Sequence, residues 1–105
     1  VYANASVRRE RRKANSIPKH LVNCKIELDA INKIYIMRTL ISQATGILHH
    51  VDHMWPLADG GPHWSGNLQI IPAEENIKKR AKVEPAIKAT IQEMLAEEVR
   101  LHAEH

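Results

Sequence analysis

A chain of 105 residues with one cysteine and no phenylalanine suits one small domain with a modest core. The lone Cys24 excludes an intrachain disulfide scaffold and a zinc knuckle built from CxxC pairs, and reads as structural. Net charge is +3, but it is uneven: residues 1–20 carry six arginines and lysines against Glu10, whereas residues 84–105 carry five glutamates against Lys88 and Arg100. A basic end suggests a polyanion such as nucleic acid; the plainer reading is a solvated helix or arm. No apolar run approaches the ~20 residues of a membrane span and no secretory signal is visible, so the expectation is a cytoplasmic protein without membrane contact. Val1 stands where Met would, which leaves room for a fragment or processed form lacking an N-terminal module.

In chain order, residues 1–20 form a basic N-terminal arm or helix. Residues 3–15 are polar, compatible with a helix and without an apolar stripe, so they are expected to dock weakly or to order on a partner. Arg8, Arg9, Arg11 and Arg12 are the candidate phosphate contacts here. Pro18 breaks the segment. Residues 25–45 read as the central helix: Leu28, Ile31, Ile34, Tyr35, Met37, Ile41 and Ala44 recur at helical spacing and are expected to pack on the core. Asp29 and Lys33 are expected to pair across one turn, and Gly46 to stop the helix.

Residues 47–53 read as a short strand, 54–66 as a loop carrying Pro56, Gly60, Gly61 and Pro62, and 67–72 as a second strand ended by Pro72. A short helix follows over 73–82, acidic at its start and basic at its end as the helix dipole favours. Pro85 opens a last helix with Ile87, Ile91, Met94, Leu95 and Val99 in one stripe, which packs on the core or on a second copy. The fold class is therefore α+β, mostly helical, with a two-stranded antiparallel hairpin and a helix across it. Monomer and homodimer both stay open.

The chemistry concentrates in HHVDHMWPLADGG, residues 49–61. Asp52 at a strand end is a good ligand for a hard cation, and Asn76 on the following helix offers a neutral oxygen. Folding the hairpin against that helix brings the two together. Two protein ligands leave coordination sites free for water and phosphate oxygens, which suits metal-assisted phosphodiester hydrolysis. His53 is the natural base, with an ordinary pKa near 6.5 that leaves it neutral at cellular pH. Asn67, across the hairpin, can hold the imidazole or its loop. His50 shares a strand face with Asp52 and is either a third ligand, a phosphate contact or a partly exposed strand residue. His49 reads as packing or surface, and His63 as a loop cap near the site. His20, His102 and His105 have no partner motif. Trp55 and Trp64 read as loop anchors. Lys78, Lys79, Arg80 and Lys82 follow Asn76 and are expected to contact phosphates.

The stretches HVDHMWPLADGG from His50, NLQIIP from Asn67 and ENIKK from Glu75 resemble the HNH endonuclease family, most closely its phage and prophage members. The resemblance covers roughly residues 47–82. It implies a ββα-metal fold around one divalent ion, flanked by the helices 25–45 and 85–103, with 21–105 as the nuclease domain. It implies DNA as substrate, Asp52 as metal ligand, His53 as general base, Asn67 as its orienter and Asn76 as second ligand where many members have histidine. The setting it implies is a bacterial host or phage-infected cell. Many members carry two CxxC zinc pairs, absent here, so the flanking helices must supply stability. Asparagine at position 76 favours magnesium or manganese over zinc or nickel. Two other readings compete: a non-catalytic nucleic-acid-binding module with a structural metal site, and, ranked last, a zinc-stabilised interaction domain using His49, His50, His53 and His63.

Overall fold

A computed structural model describes the backbone of residues 2–104 and the side chains of residues 6–104. Val1 and His105 lie outside the described residues. The fold is α+β and mostly helical. Helix α1 spans Tyr2–Asn15, α2 Lys25–Thr45, strand β1 His49–His53, strand β2 Leu68–Pro72, α3 Ala73–Lys79 and α4 Pro85–Ala103. Short 3-10 turns occupy Lys19–Leu21, Leu57–Asp59 and Ser65–Asn67. No helix among the described residues is long and apolar enough to cross a membrane.

The strands pair antiparallel, with His50 opposite Ile71, Asp52 opposite Gln69 and His53 opposite Leu68. Helix α3 follows β2 directly, because Pro72 cannot donate to the ladder and its φ of −55° already suits a helix start. Ala73 N–H still donates to Leu48 O at 2.8 Å, so the start of α3 is fastened to the segment entering β1. Gly46 stops α2 in the left-handed region, φ +71°, its N–H closing on Ser42 O.

Three differences from the sequence reading stand out. Helix α3 ends at Lys79 rather than Lys82, since Arg80 takes φ +53° and its N–H caps Asn76 O. Asn67 closes a 3-10 turn instead of opening β2. Lys25, not Lys33, pairs with Asp29, at 3.0 Å.

The apolar face of α2 also differs. Leu28 and Met37, expected in the core, are about half exposed, as are Ile36 and Leu40. The inward stripe is Glu27, Ala30, Ile31, Ile34, Tyr35, Arg38, Ile41 and Ser42, all buried or half-buried, at helical spacing. The hairpin and the loop behind it cover one narrow side of a 21-residue helix, so its remaining apolar residues have nothing to pack against. The core proper is small. Leu21, Trp64 and Ile91 form its buried centre, with Ile17, Cys24, Met54, Trp55 and Leu95 packed on it. It therefore gathers the turn after α1, the loop between the strands and α4. Trp64 is at its centre and Trp55 at its edge, as loop anchors.

The stripe's polar members fasten the site's scaffold. Glu27 is buried; its two oxygens accept the Ser65 N–H at 2.8 Å and the Ser65 hydroxyl at 2.6 Å. Ser42 Oγ accepts the His49 N–H at 2.9 Å. Both ends of α2 are thus tied to the hairpin unit. Helix α1 docks by its C-terminal end, where Ser16 O accepts the His63 N–H at 2.9 Å.

Candidate functional site

The loop between the strands is built around Asn67, which is fully buried. Its Oδ1 accepts the Trp55 N–H at 2.8 Å, and its Nδ2 donates to Trp55 O and Pro62 O, both at 2.9 Å. Its backbone O accepts the Met54 N–H at 2.8 Å. Asn67 therefore holds the loop that follows His53 and makes no bond to the imidazole itself. Gly61 completes the turn: its N–H donates to Pro56 O, and any Cβ there would collide with the Trp55 carbonyl.

The partner of the His53 imidazole is His63. Their Nε2 and Nδ1 atoms lie 2.9 Å apart. Burial, then the neighbouring His63, pushes His53 down to about 4, against a smaller opposing pull from Asp52. His63 is also lowered, by burial first and then by Lys13. Both rings are neutral at neutral pH, so a single proton lies between these two nitrogens. If His53 Nε2–H donates, the lone pair on its Nδ1 is left free.

Asp52 and Asn76 line one cleft of about 560 Å³ together with His50 and His53. The Asp52 carboxylate is almost covered and has three contacts: Lys79 Nζ at 3.0 Å from Oδ2 and 3.2 Å from Oδ1, and Gln69 Nε2 at 2.8 Å from Oδ2. Lys79 Nζ also donates to His53 O at 3.1 Å. Asn76 Nδ2 and His50 Nδ1 are 3.0 Å apart. Among the described residues, no group of three or more His, Cys, Asp or Glu side chains is arranged to hold a metal ion.

The cleft's other walls are basic. Arg9, Arg12 and Lys13 of α1, Arg38 of α2, and Lys79 and Arg80 at the end of α3 line it, against Asp52 as the one carboxylate. Arg8 and Arg11 are exposed on α1 and are not among the lining residues. Lys78 pairs with Glu74, and Lys82 with Glu84, both at the surface. The candidate cations thus divide: Arg9, Arg12, Lys79 and Arg80 converge on the cleft, and the rest do not. Such a concentration of positive charge in a concavity draws polyanions.

Comparison with protein-family models, curated proteins and solved structures returns no match to this chain.

Three features were not legible in the sequence. His63 reads as a loop cap but bonds His53. Arg38 carries no signal in the sequence but lies on the cleft wall. His20 and His102 carry no motif, yet His20 Nε2 meets Glu98 Oε2 and the two histidine rings pack edge to face with centroids 5.0 Å apart, joining the turn after α1 to α4.

Proposed function

We propose that this protein is a metal-dependent HNH endonuclease that hydrolyses DNA phosphodiester bonds. What carries the reading is that one basic cleft gathers Asp52, Asn76 and His50 together with a histidine held neutral, His53. The hairpin and α3 that present these residues match the ββα arrangement the sequence resemblance implies.

The donor set fits a hard divalent cation: a carboxylate from Asp52, the Asn76 amide and the His50 imidazole. Lys79 already places a positive charge within 3.2 Å of both Asp52 oxygens, so a cation is at home there. The ammonium would have to give way. When bound, the metal would neutralise charge on the pentacoordinate phosphorus and the leaving oxygen. His53 accepts a proton from the attacking water, whose oxygen bonds phosphorus as the P–O3′ bond breaks, giving a 3′-hydroxyl and a 5′-phosphate. His63 fixes the ring through the Nε2–Nδ1 bond. Asn67 fixes the loop carrying both Trp55 and Pro62, and so the course of the chain leaving His53. Arg80 and Lys79 face the phosphates beside the reacting one.

Incubating supercoiled plasmid with Mg²⁺ or Mn²⁺, with and without chelator, tests this. The parent is expected to nick only with free metal, and His53→Ala to lose about 10²–10⁴-fold in rate while still binding DNA. A His53→Ala protein that cuts as fast as the parent sinks the assignment. One observation favours a second reading, a nucleic-acid-binding module without chemistry: Asp52 is already neutralised by Lys79. Plasmid that shifts but stays uncut with both metals supports that reading.

A further inference from the structure

We propose that Arg38 is the anchor of a backbone-phosphate subsite, which it forms with Arg12 and Lys13 across the α1–α2 side of the cleft. The proposal deepens the nucleic-acid reading and rests on it. It starts from the inward stripe of α2, which carries three polar residues. Glu27 and Ser42 are bonded to the hairpin unit. Arg38 has no such bond: its Nε is buried and has no hydrogen-bond partner, the only buried side-chain nitrogen or oxygen among the described residues of which this is true.

A buried N–H without an acceptor is costly, and a guanidinium has no way to lose its charge to reduce that cost. Among the described residues no acceptor meets it. Asp52, the one carboxylate lining the cleft, is taken by Lys79 and Gln69. Tyr35 instead gathers further positive charge: Lys13 Nζ and Arg38 Cζ each lie 5.9 Å from its ring centroid. Two cations from different helices meet at one ring, Lys13 also pairing with the exposed Glu10 at 3.5 Å. Folding keeps a buried Arg38 N–H without an acceptor and a second cation beside it. An occupant with several acceptor oxygens and at least one negative charge resolves both. A phosphate matches the planar fork of an arginine, and a polymer of phosphates also engages Arg12 and the cations at the end of α3.

The test uses the full chain and a short fluorescein-labelled DNA duplex, in EDTA so that cleavage does not enter. Arg38→Met keeps the buried stem and removes the unpaired N–H. It is expected to weaken duplex binding about tenfold and to reduce the salt slope by about one, while the melting temperature holds or rises. A merely structural arginine would lower the melting temperature and leave the salt slope alone. Arg12→Gln, at an exposed position, is expected to lower the slope in the same way and keeps the test decisive should Arg38→Met fail to fold. Unchanged affinity and slope in the folded variants overturn the subsite, and so does a parent that binds no duplex. A parent that binds inorganic phosphate as tightly as duplex overturns the backbone assignment. The two readings separate cleanly. Loss of binding in Arg38→Met with no plasmid cutting by the parent removes the nuclease and keeps the subsite. Cutting by the parent with unchanged binding in Arg38→Met does the reverse.

Discussion

The Lys79 ammonium bridges both oxygens of Asp52, at 3.0 and 3.2 Å, and so ties α3 to β1 through the carboxylate the proposed chemistry needs most. The pair is nearly covered, with side chains 19% and 10% exposed. Removing one partner of such a pair leaves a charge short of compensation. Lys79→Met is expected to lose about 1–3 kcal/mol without metal. Added Mn²⁺ should then raise its melting temperature more than it raises the parent's, because the cation no longer competes with an internal ammonium and ligand binding stabilises the folded state by mass action. Equal shifts in the two proteins would show that Lys79 and a metal do not share Asp52.

Asn67→Ala should be among the most damaging single changes. It strands the Trp55 N–H and the Trp55 and Pro62 carbonyls around a site with no solvent access. Each orphaned group costs about 1–3 kcal/mol, so a loss of roughly 3 kcal/mol or more is expected in a urea titration. Asn67→Asp should rescue little, since it keeps one acceptor and loses both donated bonds. A loss below ~1 kcal/mol would mean that the loop relaxes to find other partners or water.

Glu27 makes the equivalent tie at the other end of the loop, from the first turn of α2 to Ser65. Glu27→Ala is expected to cost about 2 kcal/mol and Ser65→Ala about half of that, because Ser65→Ala keeps the backbone N–H bond. The double variant should fall short of the sum, as two residues sharing one interaction do. Strict additivity in chemical denaturation would refute the tie.

These couplings mark what the sequence can and cannot carry. The ends of α2 were readable because an apolar repeat of helical period ran into a glycine, and the hairpin because two short apolar runs flanked a loop rich in proline and glycine. Which face of α2 turns inward was not readable: Leu28, Ile36, Met37 and Leu40 are as apolar as Ile31, Ile34 and Ile41, and only the tertiary partner decides among them. Glu27, Arg38 and Ser42 look like any solvated polar residue until the hairpin is placed against them. The early end of α3 carries no glycine to announce it, since Arg80 itself takes the positive φ. Asp52, His53, Asn67 and Asn76 could be singled out because their spacing follows a recognisable order. His63 could not, because its partner lies across a loop whose path is set by Asn67.

The His53–His63 pair makes stability depend on pH in a defined direction. His53 has a folded pKa of about 4 against an ordinary 6.5, and His63 is lowered too. Below 6.5 the unfolded chain takes up protons that the folded chain refuses. Unfolding is then linked to proton uptake, and stability falls as pH drops from 6.5 towards 4. Above 6.5 both states are neutral at these rings and the contribution is complete. His53 is half-buried, so solvent screening discounts the effect to about 1–2 kcal/mol. His53→Gln, which cannot titrate, should flatten the melting temperature between pH 6.5 and 4.5 relative to the parent. The same pH slope in both proteins would place the responsible group elsewhere.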